Sequence, residues 1–277
     1  MIGQEKLLEN ISTLIKENRL PKFCILYGAR GWGKKHLTRE IANLMKVDLV
    51  MFENKVDDLR ECIKLAYEQT SPILYVLTGG DTMSVAAKNS ILKLIEEPPI
   101  NAFIIMLVEN EETILPTIKS RAYSLKMDNY TVKELKAYLN EKDHAFTEDE
   151  IEKVTSVCDC PGDIELYLQE ENKELLDLVN KIIENIDKVT LSNILKISKK
   201  FKVNDNTEGI DIKLFLNCLQ YALYKKFSDD YQYRSKCYLA YNEIIQCNSL
   251  LRSISINKQY AIDNLITRLW EIWNYGS

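Results

Sequence analysis

The sequence predicts an α/β fold with three parts: a parallel-sheet core, a small helical lid and an all-helical C-terminal domain. Three observations carry this. Short, continuously apolar runs alternate with segments of helical period over the first ~125 residues; strand signals stop after Met127; and from Lys173 onward every apolar stripe has helical spacing. Apolar strands joined through helices imply a parallel sheet covered on both faces.

Taken in order, Leu7, Leu8, Ile11, Leu14 and Ile15 form one helical stripe, closed by Pro21. The run Phe23-Cys24-Ile25-Leu26-Tyr27 ends in Gly28 and suits a buried strand. A helix follows over residues 33–45, and residues 47–52 read as a second strand. Leu59, Cys62, Ile63 and Ala66 make the next helical face. Residues 73–77 and 103–108 are further buried strands, separated by a helix through Ile91, Leu92 and Ile95. Residues 128–172 read as short helices around the turn Cys160-Pro161-Gly162. Beyond them lie the stripe Leu175, Leu178, Val179, Ile182, Ile183, Ile186 and a last helix carrying Ile262, Leu265, Ile266, Leu269 and Trp270. The expected division is therefore 1–127, 128–172 and 173–277, with no internal repeat or low-complexity linker.

At 277 residues the chain is long enough for two or three such parts, and 46% hydrophobic with 28% charged residues is ordinary for a globular protein. A net charge of −5 without a basic stripe argues that any nucleic-acid contact is shared with partners. No apolar run approaches the roughly 20 residues that span a bilayer. Met1-Ile2-Gly3-Gln4-Glu5 lacks a signal-peptide pattern, so a cytoplasmic location and no membrane partner are expected. The seven scattered cysteines read as reduced thiols. Cys158 and Cys160 stand one residue apart with no second pair nearby, so no zinc is expected.

Gly28-Ala29-Arg30-Gly31-Trp32-Gly33-Lys34-Lys35 follows a predicted strand and opens a predicted helix, the setting of the G-x-x-x-x-G-K part of a phosphate-binding loop. Gly28, Gly31 and Gly33 let the backbone curl so that its N–H groups turn inward, the helix N-terminus adds positive potential, and Lys34 would reach the terminal phosphates. An ordinary turn with a surface lysine is the plainer alternative. Turnover is a separate matter. The last motif position should be Ser or Thr, whose hydroxyl ligates Mg²⁺; here it is the cation Lys35. After Ile73-Leu74-Tyr75-Val76-Leu77, where an acid should hold the metal, stands Thr78-Gly79-Gly80, and Asp81 arrives late. The expectation is a degenerate loop that takes ATP or ADP without hydrolysis, or stays empty, and does not anchor Mg²⁺. Trp32 either fills part of the pocket or faces solvent.

Ala87-Lys88-Asn89-Ser90-Ile91-Leu92-Lys93-Leu94-Ile95-Glu96-Glu97-Pro98-Pro99 resembles the Asn-x-Leu-Leu-Lys-x-Leu-Glu-Glu-Pro-Pro signature of AAA+ subunits of DNA sliding-clamp loaders. Ile114-Leu115-Pro116-Thr117-Ile118-Lys119-Ser120-Arg121-Ala122 is similar to that family's Leu-x-Thr-Ile-x-Ser-Arg-Cys element. Ile2-Gly3-Gln4-Glu5 and Arg19-Leu20-Pro21 match the family's approach to the loop; Ser255-Ile256-Asn257 and Leu265 look like its C-terminal ending. The resemblance implies an AAA+ P-loop core, a lid and a C-terminal collar that holds a hetero-pentamer. It also implies motor and clamp-opening subunits, the sliding clamp and, through the assembled complex, primer–template DNA as partners. Arg121, beside Ser120, matches the arginine finger projected into a neighbour's ATP site; a loop arginine paired with a local carboxylate is the alternative. Leu92 and Ile95 read as core, Lys93 and Glu96 as a solvated face, and neither Glu96 nor Glu97 is given a catalytic role. Asn110 is a sensor polar residue or the start of a loop.

Departures matter. In Pro161-Gly162-Asp163-Ile164-Glu165 no arginine follows Gly-Asp, where AAA+ motors carry a lid arginine. With Lys35 and Thr78, three ATPase elements are altered while Arg121 remains, a pattern that resembles the delta-prime branch of the DNA polymerase III loader more than the motor branch. The compact chain lacks the four-cysteine zinc module of many members of that branch. Three readings follow: a non-hydrolysing scaffold that acts in trans; a working motor-type ATPase in which Asp81 recruits Mg²⁺; and a nucleotide-controlled DNA-binding module using Arg30, Lys34, Lys35 and Arg39.

Overall fold

In the computed structural model, residues 2–142, 146–170, 172–201, 209–251 and 257–275 are described. Ser255 and Ile256, part of the collar resemblance, lie outside them. Contacts separate the chain into two units: Met1–Asp143 with Cys160–Gly162, and His144–Asp159 with Asp163–Ser277.

The first unit runs α1 (Glu5–Lys16), β1 (Phe23–Tyr27), α2 (Lys34–Met45), β2 (Asp48–Phe52), α3 (Val56–Glu68), β3 (Ile73–Leu77), α4 (Val85–Glu96), β4 (Ala102–Val108), α5 (Pro116–Lys119), β5 (Tyr123–Lys126) and α6 (Val132–Asn140). The strands form one sheet in the order β2-β3-β4-β1-β5, and every pairing is parallel. Each central strand buries both faces. In β1, Phe23 and Ile25 enter one core cluster with Leu59 and Cys62 of α3 and Ile91, Leu94 and Ile95 of α4; Cys24 and Leu26 enter the other with Leu7 and Ile11 of α1 and Leu37 and Ile41 of α2. That two-sided burial is why the runs read as continuously apolar. Ser84 caps α4 by accepting the Ala87 N–H, and Thr131 with Glu134 forms a capping box at α6.

The sequence pattern does not announce β5. Three of its four residues are exposed and only Leu125 is buried, because it is an edge strand paired with β1 alone. It therefore carries no apolar run. Leu92, expected in the core, is only partly buried, packed against the cluster that Ile91 and Leu94 enter fully.

The second unit holds α7 (Glu148–Val157), most of α8 (Pro161–Tyr167), α9 (Leu175–Asn185), α10 (Leu191–Ser198), α11 (Ile212–Asp229), α12 (Arg234–Leu251) and α13 (Lys258–Tyr275). Helix α11 packs against α7, α9 and α12, and α13 packs against α10 and α12. Enclosed on several sides, α11 buries Leu214, Phe215, Leu216, Cys218, Leu219, Ala222 and Leu223. Polar ties within this unit include Lys213 Nζ, 2.7 Å from the buried Asp163 carboxylate, and Trp270 Nε1, which donates to Val189 O at 2.7 Å. Among the described residues no helix is long and apolar enough to cross a membrane.

Candidate functional site

The phosphate-loop sequence lies at the carboxyl end of β1, inside the sheet between β4 and β5, where parallel α/β sheets open their binding crevice. Gly31 (φ +86°) and Gly33 (φ +85°) are left-handed, a conformation that side chains disfavour. Gly33 stands at the cap position of α2 and supplies no side-chain acceptor to its first N–H groups, so the helix end retains its pull on anions. The Lys34 ammonium folds back on the loop, donating to Gly28 O at 2.5 Å and Ala29 O at 3.0 Å. Burial pushes its pKa down, opposed by Glu109, Asp81 and Cys160. Lys35 is exposed.

Several groups distant in sequence close on the same loop. Gly162 donates its N–H to Gly31 O at 3.0 Å, and the Cys160 thiol lies 3.7 Å from Arg30 O. The Tyr130 hydroxyl donates to Trp32 O at 2.9 Å, and the two rings meet edge to face. Burial pushes the Tyr130 phenol up to about 12. Trp32 is neither fully buried nor solvent decoration: its ring packs over Gly28, beside Met127. Gln4 is buried, donating to Asp128 O and accepting the Asp128 N–H, which ties the N-terminal segment to the stretch of chain after β5.

The positions that would hold a metal are committed elsewhere. Thr78 donates both its N–H and its hydroxyl to Phe52 O. Asp81 accepts from Glu109 N at 2.6 Å, Asn110 N at 3.0 Å and the Thr113 hydroxyl at 2.9 Å, so its carboxylate anchors the loop after β4. Asn110 accepts the Glu112 N–H and caps the short turn at Glu111–Thr113. Thr78 and Asp81 are thus taken up by internal hydrogen bonds, and Lys35 carries a cation where a hydroxyl would ligate Mg²⁺. Among the described residues no group of three or more His, Cys, Asp or Glu side chains could hold a metal.

Arg121 lies between α5 and β5. One terminal nitrogen is 2.9 Å from Glu96 Oε1; the other donates to Thr117 O at 2.7 Å and to the Ser120 hydroxyl at 3.3 Å. Ser120 in turn donates to Thr117 O. The structure therefore gathers Gly28, Gly31, Gly33 and Lys34 into one loop, while the partners of Ser120 and Arg121 lie on α4 and α5. The sequence left open that Arg121 pairs with a local carboxylate but did not name Glu96 as that partner, and it missed Tyr130 and the contacts of Cys160 and Gly162 with the loop. A solvated glutamate, a tyrosine and a Pro-Gly turn carry no local signal. Of the three, only Glu96 sits within a dense motif, Glu96-Glu97-Pro98-Pro99, that could have singled it out.

A profile of the family described as "DNA polymerase III, delta subunit" matches residues 51–131. An uncharacterised protein of Mycoplasma pneumoniae is 34% identical over 87 residues, 31% of this chain and 34% of that protein. The DNA polymerase III subunit delta' of Bacillus subtilis is 33% identical over 70 residues, 25% of this chain and 21% of that one. Subunit gamma/tau of Mycobacterium tuberculosis is 24% identical over 156 residues, 44% of this chain and 27% of its own. The chain thus spans about a third or less of these curated relatives. Among solved structures, a DNA polymerase III gamma subunit-related protein from Thermotoga maritima superposes with TM-score 0.51 at 16% identity, covering 96% of this chain and 99% of that one. The RuvB Holliday junction branch migration motor of the same organism gives TM-score 0.52 at 18% identity over 83% and 78%. At such identities the structures show the shared AAA+ fold; the profile and the curated relatives say more. Over part of its length the chain is thus similar to the DNA polymerase III delta family and to the delta' and gamma/tau subunits of DNA polymerase III.

Proposed function

We propose that the chain is a non-hydrolysing, delta-prime-like subunit of a DNA sliding-clamp loader, a scaffold that offers Arg121, with Ser120 beside it, to the ATP site of a neighbouring motor subunit. One observation carries the reading: Asp81, the first acid after β3, spends both oxygens on the loop after β4. Phosphoryl transfer depends on a metal to offset charge on the transferring group, and Lys35, Thr78 and Asp81 offer it a poor anchor. A guanidinium delivered across a subunit boundary needs no active site in its donor. Gly28, Gly31, Gly33, Lys34 and Lys35 would hold ATP or ADP without turnover.

In this reading residues 1–127 are the AAA+ core, 128–172 the lid and 173–277 the collar. The partners are motor and clamp-opening subunits in a hetero-pentamer, the sliding clamp, and primer–template DNA reached through the assembly. An exposed face of α12 supports the collar assignment: Tyr238, Tyr241 and Ile245 stand out from it.

The gamma/tau relatives favour one competing reading, a motor-type ATPase that recruits Mg²⁺ through Asp81. Steady-state phosphate release separates the two. The purified chain with ATP and Mg²⁺ is expected to show no turnover above background, and D81A and K34A to leave that result unchanged. In a loader reconstituted with motor and clamp-opening subunits, R121A is expected to slow ATP-dependent clamp loading by at least about tenfold. Robust turnover by the lone chain, or a normal R121A loader, would sink the proposal.

A further inference from the structure

We propose that Glu96 is a positioning residue for Arg121; the inference rests on the trans-acting role argued above. Glu96 closes α4, whose register is fixed by the Ser84 cap at its start and by the burial of Ile91, Leu94 and Ile95. With those three side chains in the core, Glu96 is exposed, and its carboxylate meets Arg121 from α4.

The guanidinium is held at two ends by two elements. Glu96 takes one terminal nitrogen, while Thr117 O and the Ser120 hydroxyl take the other. Its base is braced as well. Ile118 is fully buried, and Lys119 pairs with Glu111 at 3.1 Å. Arginine carries considerable rotamer freedom, and a planar fork held from both sides surrenders much of it before any partner arrives. Side-chain exposures of 40% for Arg121 and 45% for Glu96 keep the pair accessible to a docking phosphate. An exposed ion pair contributes little to folding, so its loss leaves the fold intact. Its effect is preorganisation: a charge held in direction speeds a reaction that a freely rotating one serves less well.

The test compares wild type, E96A, E96Q and R121A, each as the lone chain and within the reconstituted loader with ATP and Mg²⁺. On the lone chain, nitrogen-15 NMR of the Arg121 guanidinium should show slowed rotation in wild type, fast rotation in E96A and intermediate rotation in E96Q, whose amide oxygen still accepts a hydrogen bond. Thermal unfolding should be unchanged across the series. In the loader, E96A should lower kcat about threefold to tenfold with KM for ATP nearly constant, and E96Q should recover at least half of the loss. A normal or faster E96A loader beside an impaired R121A loader overturns this inference alone. An R121A loader at the wild-type rate overturns the finger reading and this inference with it.

Discussion

The amide of Gly162 donates to the carbonyl of Gly31 at 3.0 Å, and the two backbones approach so closely that a Cβ on Gly162 would lie 2.4 Å from Gly31 Cα. Real Cβ contacts do not reach that distance, so G162A must either strain the loop or release the turn from it. Overpacking of this kind costs about 1–3 kcal/mol. The expected result is a melting temperature lower by about 2 °C or more, with faster amide exchange at residue 162. A melting temperature and exchange rate equal to wild type would show that the two backbones do not touch in solution.

That contact also marks the limit of what is legible in sequence. Strands β1, β3 and β4 can be read because each buries both faces and so carries an uninterrupted apolar run. The loop at Gly28–Lys34 can be read because its chemistry is contiguous. What escapes depends on partners far along the chain. Asp81 resembles a displaced metal ligand until its acceptor positions are seen filled from Glu109, Asn110 and Thr113. Glu96 resembles a solvated face residue because its partner, Arg121, lies beyond β4, the turn Glu111–Thr113 and α5. Gly162 resembles an ordinary turn glycine because Gly31 stands at the opposite end of the first unit's sequence. The edge strand β5 escapes for a different reason: pairing on one side and exposure on three of four residues leave no periodic signature.

Glu111 ties the loop after β4 to the segment that carries Arg121, accepting from the Ser124 hydroxyl and pairing with Lys119. The Ser124 hydrogen bond, then Lys119, hold its pKa below the usual carboxylate value, against the opposing effect of burial. A carboxyl with a depressed folded-state pKa contributes stability above its unfolded value, near 4.3, and loses it as pH falls through the folded value. E111Q should therefore be less stable than wild type at pH 7, and the gap should close as pH drops below about 4. Urea unfolding at pH 7, 5 and 3.5 reads the difference; a gap that widens in acid would contradict the assigned direction.

Helix α12 is apolar on two faces. Cys237, Ala240, Ile244 and Cys247 are buried in the second unit, while Tyr238, Tyr241 and Ile245 recur at helical spacing on another side. Tyr238 is 64% exposed, Tyr241 44% and Ile245 49%. Spacing of that kind is what one helix presents to another, and tyrosine is enriched among the residues that dominate interfaces. The double substitution Y238A with Y241A leaves the buried face untouched, so the chain should fold with an unchanged melting temperature. If the proposed loader role holds, loss of these two tyrosines is expected to weaken association with motor and clamp-opening subunits by about 2 kcal/mol or more, roughly thirtyfold in Kd. Analytical ultracentrifugation of the mixed subunits measures this. Full assembly at wild-type affinity would remove α12 from the collar interface, whereas loss of assembly together with a lowered melting temperature would show instead that these tyrosines serve the fold.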